Sequence, residues 1–224
     1  LSEVLGTPTK LKAAARIKRG RSEHHPSLPY EQMPAFTAAL SAKEGVGALA
    51  MRFAILTAAR TGEVRKMQWS EIDFERAVWT VPSGRMKVPK PHFVPLSKAA
   101  VEILEIVAPL SAHRTGLIFP GRKENAPLSD MTLSELVRGM SFDAIPEGDL
   151  PRWRDPFGNP IVPHGFRATF KAWSLANGWP DHLSELALAH SDTNKVRAAY
   201  ARDPMIEERR PMMQSWAFFI GERN

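Results

Sequence analysis

Val78-Trp79-Thr80-Val81-Pro82-Ser83-Gly84-Arg85-Met86-Lys87-Val88-Pro89-Lys90-Pro91-His92-Phe93-Val94-Pro95-Leu96 breaks the helical grammar of this chain. Two short β-prone runs, Val78 to Val81 and His92 to Leu96, stand on either side of turn residues. With Ile72 a few residues upstream, they predict a small antiparallel sheet. The surroundings read differently. Before it, Met33, Phe36, Ala39 and Leu40 recur at helix spacing from Tyr30, a second apolar helix is predicted over 46–59, and 62–69 reads as one short helix more. After it, Ser97 opens a helix through Val101, Ile103, Leu104 and Val107, with Pro109 beyond its end, and 129–140 repeats that grammar. Residues 141–162, rich in Pro, Gly and charge, read as a loop. Helices follow over 164–177, ended by Gly178, and over 180–189, 194–201 and 205–220. The fold class is α+β, mainly α-helical, with one small antiparallel β-sheet.

The chain has 224 residues, enough for one large domain or two small ones. Its 43% hydrophobic and 24% charged residues make neither disorder nor a fibrous repeat tenable. The most apolar window, 48–59, is interrupted by Arg52 and falls short of the roughly 20 residues a bilayer crossing needs, so no membrane role is expected. Cysteine is absent, which removes disulfides and thiolate metal sites and fits a cytoplasmic location. There is no Gly-Lys dipeptide for a P-loop and no GxGxxG after a strand. Neither cofactor nor metal is expected, for the scattered His92, His113, His164, His182 and His190 lack ligand spacing.

The net charge is +6, and six of the basic residues (Lys10, Lys12, Arg16, Lys18, Arg19, Arg21) lie within twelve positions that hold no acid. Without them the rest is balanced at 24 basic against 24 acidic residues, since 30 − 6 = 24. Such a run suits nucleic acid, and it equally suits a solvated tail. Residues 1–29 therefore read as a basic lead or the remnant of an upstream linker, closed by the turn-rich His25-Pro26-Ser27-Leu28-Pro29. Residues 30–224 form the main domain. The opening at Leu1, with neither Met nor a signal segment, points to sequence removed upstream.

Four places could carry chemistry. Arg60, in Ala59-Arg60-Thr61-Gly62-Glu63-Val64-Arg65, interrupts a core-like run, and Glu63 is placed to pair with it, which is also what a structural ion pair would look like. Lys87 sits on the turn between the two β-prone runs, where lysines are ordinarily solubilising. His164 and Arg167, three apart at a helix start, share a face and suit an anion beside free N–H groups, although a cap or packing role is the commoner one. Last come His190, in Leu188-Ala189-His190, and Tyr200, one of two tyrosines with Tyr30.

Their joint order is more specific than any one of them. Arg60, Lys87, His164-x-x-Arg167, His190 and Tyr200 occur in the sequence order of the catalytic residues of tyrosine recombinases, and the chain resembles the catalytic domain of that phage integrase family. Flanking words agree: Thr61-Gly62-Glu63-Val64-Arg65, Trp69-Ser70-Glu71-Ile72-Asp73, Arg85-Met86-Lys87, His92-Phe93-Val94-Pro95-Leu96-Ser97 and Arg209-Arg210-Pro211-Met212-Met213-Gln214-Ser215-Trp216. They are most similar to integrases of prophages and genomic islands. Two departures stand out: Gly165-Phe166-Arg167 replaces a common Leu-Arg ending, and Ala189 stands where many members have Gly.

The resemblance implies site-specific DNA recombination, the integration or excision of a mobile element, without metal or ATP. Tyr200 would attack the scissile phosphate to form a 3′-phosphotyrosyl link and free a 5′-hydroxyl. Forming a phenolate at pH 7 costs about 4 kcal/mol from an unperturbed pKa near 10, so positive field is needed, and Arg60 and Arg167 are placed to supply it. His164 is the candidate acid/base, His190 a donor to a non-bridging oxygen, and Lys87 the acid for the leaving oxygen. Glu63 supports Arg60. The partners implied are double-stranded DNA attachment sites, further protomers met through the apolar C-terminal helix, and DNA-bending accessory proteins. Alternatives are a type IB topoisomerase-like enzyme that relaxes supercoils, and a non-catalytic DNA-binding protein that keeps the fold.

Overall fold

A computed structural model describes residues 25–86, 88–110, 114–123, 125–190 and 204–222. Lys87 and Tyr200, the basic run and the helix expected over 194–201 lie outside the described residues. Eight helices and three strands are found among those described: α1 (Met33–Ser41), α2 (Val46–Thr57), α3 (Thr61–Arg65), β1 (Ile72–Asp73), β2 (Val78–Val81), β3 (His92–Pro95), α4 (Lys98–Val107), α5 (Thr132–Phe142), α6 (Gly165–Ala176), α7 (Asp181–Ala187) and α8 (Ile206–Phe219).

The core is built around α2. Ala48, Ala50, Met51, Phe53, Ala54, Ile55 and Leu56 are buried on it, and α1, α3, α4, α5 and α8 pack around it. Arg52, the charge that interrupts this apolar run, forks onto the Glu222 carboxylate through Nε and Nη2 at 2.8 and 2.7 Å, so it can sit on an otherwise buried helix. The sheet has order β1-β2-β3, antiparallel throughout, with Ile72 opposite Trp79, Trp79 opposite Val94 and Val81 opposite His92. Val78, Trp79 and Val81 are buried, and the Trp79 ring meets Phe53 of α2 edge-on at 5.7 Å. The sheet is thereby fixed to the helical body, with the turn around residue 87 beyond its end.

Sequence boundaries shift where a local hydrogen bond decides them. The helix expected over 62–69 ends at Arg65, and Trp69–Glu71 forms a separate 3₁₀ turn, because the Trp69 N–H is drawn out of the helix to the Gly116 carbonyl at 3.0 Å. Ser97 caps α4, accepting from the Ala100 N–H at 3.3 Å. Ser129, expected to open the next helix, instead holds a turn before α5 by accepting from Met131.

Residues 25–29, read from sequence as the end of the lead, pack on α6. Leu28 is buried, its carbonyl accepts from the Thr169 hydroxyl at 2.7 Å, and Pro26 accepts from the Val162 N–H at 3.3 Å.

The C-terminal helix packs on the chain's own core. Its apolar residues suit either another protomer or the chain's own core, and Met212, Met213, Trp216 and Ala217 of α8 are buried in that core. The Trp216 indole N–H donates to the Ile55 carbonyl at 2.9 Å, and the Thr37 hydroxyl of α1 donates to Ile220 at 2.6 Å. Phe218 alone among the large apolar residues of α8 is well exposed, at 62%.

Candidate active site

Two alanines in the left-handed region shape the floor of the site. α2 ends at Ala58 with φ 51°, and the chain leaves α7 through Ala189 with φ 48°. A side chain there costs about 1–3 kcal/mol, and such strain is kept where the backbone is put to use. Here it turns carbonyls toward two guanidinium groups. Arg167, near the start of α6, donates from Nη1 to the Ala58 carbonyl at 2.6 Å and from Nη2 to the Leu188 carbonyl at 2.5 Å. One buried side chain thus ties together the ends of α2 and α7, 109 and 21 residues away in sequence.

Arg60 stands in extended backbone just before α3. Its main-chain N–H and its Nη1 both donate to the Glu63 carboxylate at 2.9 Å, while Nη2 reaches toward the Ala189 carbonyl at 3.5 Å. Glu63 is only 5% exposed and holds Arg60 from beneath through these two bonds. Burial pushes Arg167 down to about 10, the nearby Arg60 charge adds to the fall, and Glu63 and Glu185 oppose it. It keeps its charge at neutral pH.

His164 occupies the residue before the first turn of α6 and makes no cap hydrogen bond. Its ring meets His25 edge-on, centroids 4.4 Å apart. Burial lowers its pKa, and the charges of His25, Arg167, Arg60 and His190 lower it further. That set of neighbours places His164, Arg60, Arg167 and His190 in one electropositive site. The backbone of residues 26 and 27 crosses α6 so closely that a Cβ on Gly165 would stand 2.1 Å from the Pro26 carbonyl oxygen, which is why glycine follows His164. Phe166, the departure from Leu, fills the core against Phe36 with centroids 4.8 Å apart.

His190 follows α7 and is half exposed. Its Nδ1 faces the Glu185 carboxylate at 2.9 Å, and Lys171 holds the other oxygen of that carboxylate at 2.6 Å. Burial alone would raise the Glu185 pKa, but hydrogen bonds from Lys171 and His190 outweigh it and lower it. Arg85, two residues before Lys87, donates from Nη1 to the Glu63 carbonyl at 3.2 Å and from Nη2 to Glu71, whose carboxylate also takes the Trp79 indole N–H at 2.9 Å. The turn leading to Lys87 is therefore braced against α3.

The structure brings together Arg60, Glu63, His164, Arg167 and His190. Lys87 and Tyr200 are not among the described residues. Sequence reasoning missed Glu185, Lys171 and His25, whose residue types are ordinary for exposed positions, and also His92. Burial drives His92 down to about 3, Arg209, Arg167 and Arg60 add to this, and the Ala187 carbonyl opposes it. Its one signal was its place in the quoted word His92 to Ser97. Among the described residues no group of three or more His, Asp or Glu side chains is arranged to hold a metal ion.

This helical body with its three-stranded sheet has the catalytic-domain fold of tyrosine recombinases. Solved structures share it at low identity. A lambda integrase dimer bound to a COC′ core site aligns with a TM-score of 0.56 at 20% identity, over 80% of this chain and 62% of that one. The Tn1549 transposon integrase in complex with transposon right end DNA aligns with a TM-score of 0.58 at 14% identity, over 84% and 68%. The sequence model of the phage integrase family matches residues 27–205, and the chain belongs to that family. Prophage integrase IntA of Escherichia coli K12 is 38% identical over 74% of this chain and 37% of its own length. The integrase of Shigella phage Sf6 is 30% identical over 94% and 51%, and that of Enterobacteria phage P4 31% over 92% and 48%. The chain spans about half the length, or less, of these relatives.

Proposed function

We propose that this chain is the DNA-cutting and rejoining domain of a site-specific recombinase that integrates and excises a mobile element such as a prophage or genomic island. The observation that carries the reading is the convergence of Arg60, Arg167, His164 and His190, from three separate parts of the chain, on one electropositive site. A scissile phosphate bound there meets two guanidinium groups able to stabilise the pentavalent transition state. Arg167 commits two N–H groups to carbonyls, and a guanidinium has five, so donors remain for phosphate.

Tyr200 attacks the phosphorus, the bond to the 5′-oxygen breaks, and a 3′-phosphotyrosyl link forms. The leaving oxygen takes its proton from Lys87, and His164, neutral at pH 7, accepts the phenolic proton. His190 donates to a non-bridging oxygen. Because the phosphotyrosyl link keeps the energy of the broken diester, rejoining needs no ATP, and the arginines do the work a metal ion would otherwise do. The partners are attachment-site DNA, further protomers and DNA-bending accessory proteins in the cytoplasm. Protomer contact through the C-terminal helix uses its outer edge at Phe218, the inner face being committed to the core. The relatives' names favour strand exchange over supercoil relaxation alone.

The test is a nicked duplex carrying the junction of the element, which traps the covalent intermediate. An adduct mapped to Tyr200 and lost in Tyr200→Phe supports the reading. Attachment elsewhere, or an undiminished adduct in that variant, overturns it.

A further inference from the structure

Arg209 of α8 is 1% exposed, the most buried charge among the described residues, and it has no ion-pair partner among them. Its Nη1 donates to two carbonyls, Phe93 at 2.8 Å and Pro204 at 3.1 Å, while Nε and Nη2 have no partner. Burial pushes its pKa down to about 10, so it stays charged at neutral pH. A lone buried guanidinium with two unsatisfied nitrogens is costly, and a leucine or methionine would fill the same space without that cost. Packing therefore does not explain it.

The two carbonyls do. Phe93 lies on β3, the strand that follows the turn bearing Lys87, and is opposite Thr80 of β2. Pro204 is where the described chain resumes four residues after Tyr200. Between Pro204 and α8 the backbone turns through Met205 in the left-handed region, φ 46°, and the Arg209 N–H closes that turn on the Met205 carbonyl at 3.0 Å. One residue thus ties Pro204 to the edge strand of the sheet with its side chain and closes the turn at Met205 with its main chain. The charge matters because N⁺–H donors hold carbonyls more tightly than neutral ones.

We propose that Arg209 is a positioning residue for the nucleophile: by pinning Pro204 to Phe93 it fixes where the segment carrying Tyr200 ends, and so how Tyr200 is presented to the phosphate. This rests on Tyr200 being the nucleophile. It separates two things the site must do, activating the phosphate, which belongs to Arg60, Arg167 and the histidines, and delivering the attacking oxygen, which depends on Arg209.

The experiment measures both in the same protein. Delivery is read as the rate of Tyr200 adduct formation on the nicked duplex. Phosphate activation is read in a Tyr200→Phe background, where hydrogen peroxide serves as the external nucleophile. Arg209→Met, close in length and neutral, should slow the Tyr200 adduct by about tenfold or more, since small misplacements of a reacting group are that costly. Peroxide cleavage should stay within about twofold of the Tyr200→Phe value. Arg209→Lys, which keeps the charge and donors enough for both carbonyls, should recover most of the adduct rate. An equal fall on both routes would show a role in the fold or the field rather than in delivery, and an unchanged adduct rate would show no role; either overturns the proposal. If Arg209→Met is unfolded by circular dichroism at the assay temperature, the same comparison is made with Arg209→Gln, shorter and neutral, where a fall confined to the tyrosine route supports the proposal and an equal fall or none overturns it. A wild-type protein that forms no Tyr200 adduct removes the proposed function itself, and is seen before any Arg209 variant is compared.

Discussion

Glu185 holds the Nδ1 of His190 at 2.9 Å, and this decides what His190 can donate. With Nδ1–H committed to the carboxylate, the outer nitrogen is an acceptor in the neutral ring and a donor only in the imidazolium. The carboxylate therefore sets which ring nitrogen faces the site and how the ring is turned toward a phosphate oxygen. Glu185→Gln keeps an acceptor for Nδ1–H but removes the charge. Cleavage by this variant should fall by about tenfold, because a neutral amide holds the ring less firmly than a carboxylate does. Undiminished cleavage would mean that the Glu185 charge has no part in holding His190.

His164 is the pH-sensitive group of the proposed reaction. Burial and the four surrounding positive groups place its pKa below the ordinary 6.5, so in the free protein the neutral ring predominates at pH 7 and half-protonation is reached only below pH 6.5. The second-order rate of adduct formation at limiting DNA should decline as pH falls from 7.5, with its midpoint below 6.5, because this rate reports the free protein. A midpoint at or above 6.5 would remove His164 as the base.

The same sign governs stability at His92. Its folded pKa of about 3 lies below the ordinary 6.5, so the unfolded chain takes up the proton first. The contribution is complete above pH 6.5 and is lost progressively as pH falls toward 3. Urea midpoints of the wild type should therefore drop more steeply across that window than those of His92→Gln, which has no ring to protonate. Parallel curves would show that His92 does not titrate there.

Gly165→Ala should be among the more damaging small substitutions. The added methyl group meets the Pro26 carbonyl at 2.1 Å, and backbone cannot yield as a flexible side chain does. A loss of about 1–3 kcal/mol is expected by urea denaturation. Displacement of residues 25–28 should also weaken the His25–His164 contact, so cleavage should fall in a folded sample. A variant as stable as the wild type would show that this arm moves aside freely.

Removing residues 206–224 should prevent folding rather than only strand exchange. Met212, Met213 and Trp216 are buried in the chain's own core, and each such side chain contributes about 1.5–3 kcal/mol. Domains have about 5–15 kcal/mol in all. A cooperative melt in the truncated protein would show that α8 is dispensable to the core.

The sequence by itself determined most of the elements and named the candidates for the site. Helical spacing around Phe36, Phe53 and Leu104 and the β-prone runs at Val78 and His92 are local patterns, complete within one element, and they produced the helices and the small sheet where expected. The order Arg60, His164, Arg167, His190 pointed to the family because residue types at a reacting centre are constrained by chemistry. Tertiary structure alone decided what holds those residues. The carbonyls that fix Arg167 lie 109 and 21 residues away, the one nearest Arg60 lies 129 away, and they face inward only because two alanines adopt a left-handed backbone that no local pattern announces. Nor could the apolar stripe of α8 disclose its partner. Burial rewards an apolar face equally against its own core or another chain, and only the packed structure shows that Trp216 reaches Ile55 of the same molecule.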